Sequence, residues 1–155
     1  MKKKYIYGLL TVCWICIIFS FSLQPADESL QLSDGVGMLI LKYVFSELLE
    51  VSNSWTEAEW SIFSTVIRKC AHFTEYFVLG VLMMLTVKET KLPRKYVIGF
   101  VLCVLVASID ETIQLFVPGR AGMIRDVMLD SVGSTVGIFS SVIASKFVSK
   151  RRILN

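Results

Sequence analysis

The chain alternates between long apolar runs and short charged segments, a pattern typical of helical membrane proteins. The longest apolar runs lie near residues 5–23, 71–87, 96–117 and 127–148. About 20 apolar residues in a helix cross the hydrocarbon core of a bilayer. Hydrophobic residues make up 54% of the chain, against roughly 45–50% in soluble domains. We therefore predict an all-α fold, a bundle of four transmembrane helices that forms a single domain over residues 1–155.

The segment between the first two runs, residues 24–67, has a helical pattern of its own. Its apolar residues recur on one helix face, at Val36, Leu39, Ile40, Tyr43 and Val44. Aromatic residues typical of a membrane interface follow them, at Trp55, Trp60 and Phe63. We predict one or two amphipathic helices on the outer surface or in the mouth of the bundle. They are either a functional cap or a packing segment that lies along the bilayer.

The first run could be a cleaved signal peptide or a retained helix. Basic residues 2–4 precede it, as they do in signal peptides. However, the run is longer than the apolar core of a signal peptide, and no small-residue cleavage motif follows it. We therefore predict a retained first helix.

Lysine and arginine cluster before the first run, between the second and third runs, and after the fourth. In a four-helix topology these three places share one side, and basic residues favour the cytoplasmic side. We predict a multi-pass protein of the cell membrane with both termini in the cytoplasm and the lipid bilayer as its surroundings. The net charge of +3 then reflects topology, and we expect no nucleic-acid partner.

Ionisable residues lie inside the runs that are otherwise fit to cross a membrane. Such groups are costly at bilayer depth, so they usually face the bundle interior and serve a function. The candidates for acid–base catalysis are His72, Glu75, Asp110 and Glu111. The alternative for the single histidine is a hydrogen-bonded packing role.

Further polar residues flank these candidates at the outer ends of the second, third and fourth helices. The candidates for ligand binding are Arg68, Lys69, Gln114, Arg120, Arg125, Asp126 and Asp130. Arginine side chains suit a phosphate or carboxylate, such as that of a lipid-linked or cell-wall precursor. Desolvation makes a large ion-pair network a costly way merely to lock helix register, which favours a polar cavity open to the outer face. The near-balance of charge favours a mixed acid–base cavity over a simple cation or anion site. Carboxylates with one histidine could also hold a divalent cation, although this signature is weak.

The fourth helix carries a stripe of small residues below its acids. Gly133 and Gly137 form a G-x-x-x-G pattern, which permits close helix approach. We predict a helix-packing surface there, either within the chain or toward a partner helix.

The polar residues occur in motifs that resemble the VanZ-like family. These are SFSLQP at residues 20–25, RKCAHFTEY at 68–76, DETIQLFVPGR at 110–120 and RDVMLDSVG at 125–133. The resemblance covers nearly the whole chain in order and spacing. It implies a bacterial membrane protein with accessory resistance to glycopeptide antibiotics such as teicoplanin, or a broader role in the cell envelope.

Three functions are consistent with these features. The first is a VanZ-like envelope protein whose outward-facing polar cavity binds an envelope precursor or an antibiotic-related ligand. The second is a membrane-embedded hydrolase or transferase that acts on a lipid-linked phosphate or cell-wall precursor. The third is a scaffold whose polar network only packs helices. The sequence contains no nucleophile motif, phosphatase signature or nucleotide-binding loop, which weighs against an enzyme.

Overall fold

The computed structural model describes residues 2–45, 47, 50 and 52–154, and within these residues it is helical with no strand. Its helices are α1 (Lys2–Ser22), α2 (Ala26–Tyr43), α3 (Glu57–Lys88), α4 (Lys95–Gln114) and α5 (Ile124–Leu154). Four of the basic residues that predict the orientation lie outside the side chains that the structure describes, namely Lys2, Lys150, Arg151 and Arg152.

Four of these helices, α1, α3, α4 and α5, are long and apolar enough to cross a membrane. The protein is therefore a multi-pass membrane protein with the predicted four-helix bundle. All four spans differ by at least a few residues from the predicted bounds, and the start of the second differs most. The second begins at Glu57 instead of residue 71, because Thr56 and Glu59 form a capping box that starts the helix early. The third ends at Gln114 instead of residue 117, shortly before the turn at Gly119.

Close approach between α3 and α5 holds the bundle together. A side chain at Gly137 would place its Cβ 2.1 Å from the carbonyl oxygen of Phe77, and one at Gly80 would lie 2.2 Å from that of Ser134. At Gly133 the corresponding distance to the Phe73 carbonyl oxygen is 2.7 Å. The small-residue face of α5 thus packs against α3 of the same chain.

The apolar core lies between α1, α3 and α4. Its fully buried members include Ile18, Leu79 and Cys103. Polar bonds add to this packing, since the Nε1 of Trp14 donates to the carbonyl oxygen of Glu75 at 2.9 Å. This bond joins α1 to α3 at the level of a candidate site residue.

The predicted amphipathic helix is α2, and its small polar face is the one that packs on α3. Ser33 and Gly37 are buried on this face, and an added Cβ at Gly37 would lie 2.8 Å from the Phe63 ring. Asp34 accepts a hydrogen bond from Ser64. The apolar stripe points the other way, with Leu39 56% exposed. Such an exposed apolar face fits a helix that rests against lipid.

Candidate functional site

Two adjoining cavities lie where α1 and α4 end and α5 begins. Their volumes are about 180 Å³ and about 220 Å³. Three residues, Arg68, His72 and Arg120, line both cavities. The shared wall therefore carries two guanidinium groups and one imidazole.

A turn between α4 and α5 positions Arg120. Gly119 has a φ of 73°, in the left-handed region that glycine tolerates best. The Nε of Arg120 donates to the carbonyl oxygen of Gln24 and its Nη2 donates to that of Phe21, both at 3.2 Å. These carbonyls lie at the C-terminal end of α1, so Arg120 caps that helix. Burial and the nearby Arg68 lower the pKa of Arg120, but a guanidinium remains charged at neutral pH.

The other basic residues differ in how far they are already paired. Arg68 is half-buried and has no hydrogen bond or ion pair with any residue that the structure describes. Lys69 forms an ion pair with Asp126. Arg125 is exposed and lines neither cavity. The structure therefore brings Arg68, Lys69 and Arg120 together and leaves Arg125 outside.

Glu111 and Gln114 tie helix ends together. The Oε2 of Glu111 accepts a hydrogen bond from the backbone nitrogen of Met123 at 2.8 Å. The Nε2 of Gln114 donates to the Oε1 of Glu111 at 3.3 Å and to the Oγ of Ser22 at 3.4 Å. These bonds connect α4 to α1 and to the turn before α5. In this geometry Glu111 positions the backbone around the cavity.

His72, Asp110 and Asp130, which we call the buried triad, meet beneath the cavities. One ring nitrogen of His72 and one carboxylate oxygen of each aspartate lie within 4.8 Å of one another. Both aspartate side chains are fully buried. Neither their oxygens nor the Nδ1 of His72 has a hydrogen-bond partner in the described part of the chain. Each member comes from a different helix, α3, α4 or α5.

Glu75 lies beside the triad on α3. Its Oε2 is 3.8 Å from the Nδ1 of His72, and it lines the larger of the two cavities. Arg68, His72 and Glu75 thus share one cavity wall, as their helical spacing predicts. The larger cavity brings two basic groups and one acid into contact with the same space.

Two residues near the site are missing from the sequence-based candidates. The fully buried Tyr76 lies beside the Asp110 carboxylate, as does Ser22, although neither hydroxyl has hydrogen-bonding geometry to it. The position of Tyr76 four residues after His72 places both on one helix face. That spacing could have identified Tyr76, whereas nothing in the sequence brings Ser22 to α4.

One of three comparisons with known proteins found a match. The sequence model of the VanZ/LLP1 family matches residues 7–145, a range that contains all the candidate site residues. No curated protein and no solved structure matches the chain. On the extent of the family match, the chain belongs to the VanZ/LLP1 family.

Proposed function

We propose that this protein is a VanZ-like component of the bacterial cell envelope whose outward-facing polar cavity binds the anionic group of a lipid-linked envelope precursor. The observation that carries the proposal is the shared cavity wall with the guanidinium groups of Arg68 and Arg120. Support comes from the unused hydrogen-bond donors of these groups, from an adjoining apolar cleft and from the distribution of basic residues.

The guanidinium groups of Arg68 and Arg120 have unused hydrogen-bond donors in the part of the chain that the structure describes, which favours an anionic ligand. A half-buried cation that lacks a partner has lost part of its hydration and gains from a charged acceptor. Arg68 is in this position, and Arg120 uses only two of its donors on the carbonyls of α1. A phosphate oxygen between them would accept hydrogen bonds from both side chains. Lys69 contributes less, because Asp126 already pairs with it.

An apolar cleft continues from the polar cavity and suits a lipid tail. It has a volume of about 420 Å³ and lies between α1, α2 and α3, where Trp14, Val36 and Val78 are among its lining residues. Ser33 and Glu75 line both the cleft and the larger polar cavity. An amphiphile with an anionic head and an apolar chain fits both spaces at once.

The basic residues support an outward-facing cavity. Lys88, Lys91, Arg94 and Lys95 lie at the junction of α3 and α4, at the end of the bundle opposite the cavities. Such residues favour the cytoplasmic side, and we therefore infer that both chain termini lie in the cytoplasm and that the cavities face outward. We also propose that such a protein contributes to teicoplanin-type resistance by binding an envelope precursor at this site on the outer side of the membrane.

Binding of polyprenyl phosphate to the purified protein in detergent tests the proposal. We expect binding of polyprenyl phosphate but not of uncharged polyprenol, and Arg68→Ala should weaken binding about tenfold or more, the usual effect of a lost charged hydrogen bond. Arg125→Ala is the matched control, since that arginine is exposed outside the cavities. Equal binding by wild type and Arg68→Ala would show that the ligand site is elsewhere, and no binding by the wild type would favour the scaffold.

A membrane-embedded hydrolase or transferase is the second candidate. It is favoured by His72, which belongs both to the cavity wall and to the buried triad, so an acid–base group could reach a bound phosphate. Phosphate release from polyprenyl diphosphate distinguishes the two functions. Release by the wild type that His72→Gln abolishes would support the enzyme, whereas binding without release would support the binding protein.

A further inference from the structure

We propose that the buried triad of His72, Asp110 and Asp130 binds one divalent transition metal ion, such as Zn²⁺ or Mn²⁺, beneath the two polar cavities. The proposal rests on the burial, the missing partners and the donor set of these three side chains. It is independent of which ligand the cavity above them binds.

Charge balance is the first argument. Asp110 and Asp130 are both fully buried, and all four of their oxygens lack a hydrogen-bond donor in the described residues. Buried carboxylates without partners are costly, and two of them side by side repel each other. Without a cation such carboxylates would hold protons, whereas one divalent cation would match two negative charges and allow both aspartates to ionise.

None of the nearby basic side chains that the structure describes forms an ion pair with the two aspartates. Lys69 pairs with Asp126, and Arg120 donates to two backbone carbonyls of the α1 end. Neither Asp110 nor Asp130 has an ion pair with any basic residue for which the structure gives a side chain. A cation that enters the site would therefore have to balance the negative charge of the two aspartates.

The donor set indicates the class of metal. Two carboxylate oxygens and one imidazole nitrogen suit Zn²⁺, Mn²⁺ or Fe²⁺, whereas Mg²⁺ and Ca²⁺ prefer oxygen ligands alone. Three protein ligands leave at least one coordination position for water or a ligand oxygen. Because His72 also lines both cavities, that position would be reached from the cavity.

The geometry needs only a small adjustment. Two ligands that each lie about 2.1 Å from one ion are at most about 4.2 Å apart. The three candidate atoms already lie within 4.8 Å of one another, and rotation of the side chains closes a gap of this size. Tyr76, Ser22 and Gln114 surround the Asp110 carboxylate and would orient it, as outer groups do at metal sites.

Metal binding by the purified, chelator-treated protein tests the inference. We expect the full-length protein in detergent to bind about one equivalent of Mn²⁺ or Zn²⁺ after dialysis, measured by elemental mass spectrometry, and to unfold at a higher temperature with the ion than without. Asp130→Asn and His72→Ala should each lower the affinity at least tenfold. Asp34→Asn is the control, because it removes a carboxylate that bonds to Ser64 outside the triad.

Failure to bind either ion at micromolar concentration in the wild type would overturn the inference, whether or not the variants fold. Equal affinity in the wild type, His72→Ala and Asp130→Asn would also overturn it, since the metal would then bind elsewhere. Polyprenyl phosphate binding is measured separately on metal-free protein, so the loss of one proposal leaves the other intact.

Discussion

The guanidinium of Arg120 donates a hydrogen bond from Nη2 to the carbonyl oxygen of Phe21 at 3.2 Å. This contact fastens the turn before α5 to the C-terminal end of α1. Arg120 therefore belongs to the proposed ligand site and also joins two parts of the fold. Mutation can separate these two roles.

Replacement of Arg120 by lysine should cost stability although the charge is kept. Lysine has a single terminal nitrogen and cannot reproduce the planar fork that reaches both Gln24 and Phe21. We expect a loss of about 1–3 kcal/mol, the usual range for a charged hydrogen bond. The unfolding midpoint in detergent measures this, with Arg125→Lys as the control. An unchanged midpoint in Arg120→Lys would show that the cap does not stabilise the bundle.

An added methyl group at Gly137 should separate α3 from α5. The new Cβ would lie 2.1 Å from the Phe77 carbonyl oxygen, which belongs to backbone and cannot rotate away. We expect Gly137→Ala to destabilise the protein by about 1–3 kcal/mol, as overpacking does. Gly8→Ala is the matched control, because nothing lies within 4 Å of its Cβ position. Equal unfolding midpoints for the two variants would contradict the close packing of these helices.

Substitutions of Glu111 should distinguish a positioning role from catalysis. Glutamine keeps an oxygen that accepts from the Met123 nitrogen, whereas alanine removes it. We expect Glu111→Gln to retain most stability and Glu111→Ala to lose about 1–3 kcal/mol, since a partly buried hydrogen bond to a charged acceptor is lost. The affinity for polyprenyl phosphate and the unfolding midpoint in detergent should fall together across these variants. A stable Glu111→Gln protein that has lost a phosphate-release activity would instead make Glu111 catalytic.

The predicted orientation has a direct test in intact cells. In a background in which the four native cysteines are replaced, we expect Lys91→Cys to react only with a membrane-permeant thiol reagent. Arg125→Cys, at the cavity end, should react with an impermeant reagent added from outside. Labelling of Lys91→Cys by the impermeant reagent would reverse the topology and place the cavities in the cytoplasm.

The four spans could be predicted from the sequence because the length and polarity of a bilayer-crossing segment are set by the bilayer itself. The start of α3 could not be found from hydropathy alone. Arg68 and Lys69 interrupt the apolar run without interrupting the helix, whose start depends on the local bonds of Thr56 and Glu59. The capping pattern at these two residues was the available signal.

Helical periodicity also indicated which polar residues gather, but not how they pair. Spacing along α3 predicts that Arg68, His72 and Glu75 share a face, and all three line one cavity. Whether a charge pairs, caps a helix or points to solvent depends on distances of a few ångströms between helices. The sequence therefore could not separate Arg120, held on the α1 carbonyls, from Arg125, which is exposed.

A structure of the protein with bound polyprenyl phosphate tests the central claim most directly. We predict that the phosphate lies in the shared wall of the two cavities, with its oxygens within hydrogen-bonding distance of Arg68 and Arg120, and that the chain enters the cleft beside Trp14. A phosphate bound at the lysine-rich end near Lys88 and Lys95, or on the outer surface of the helices, would contradict it.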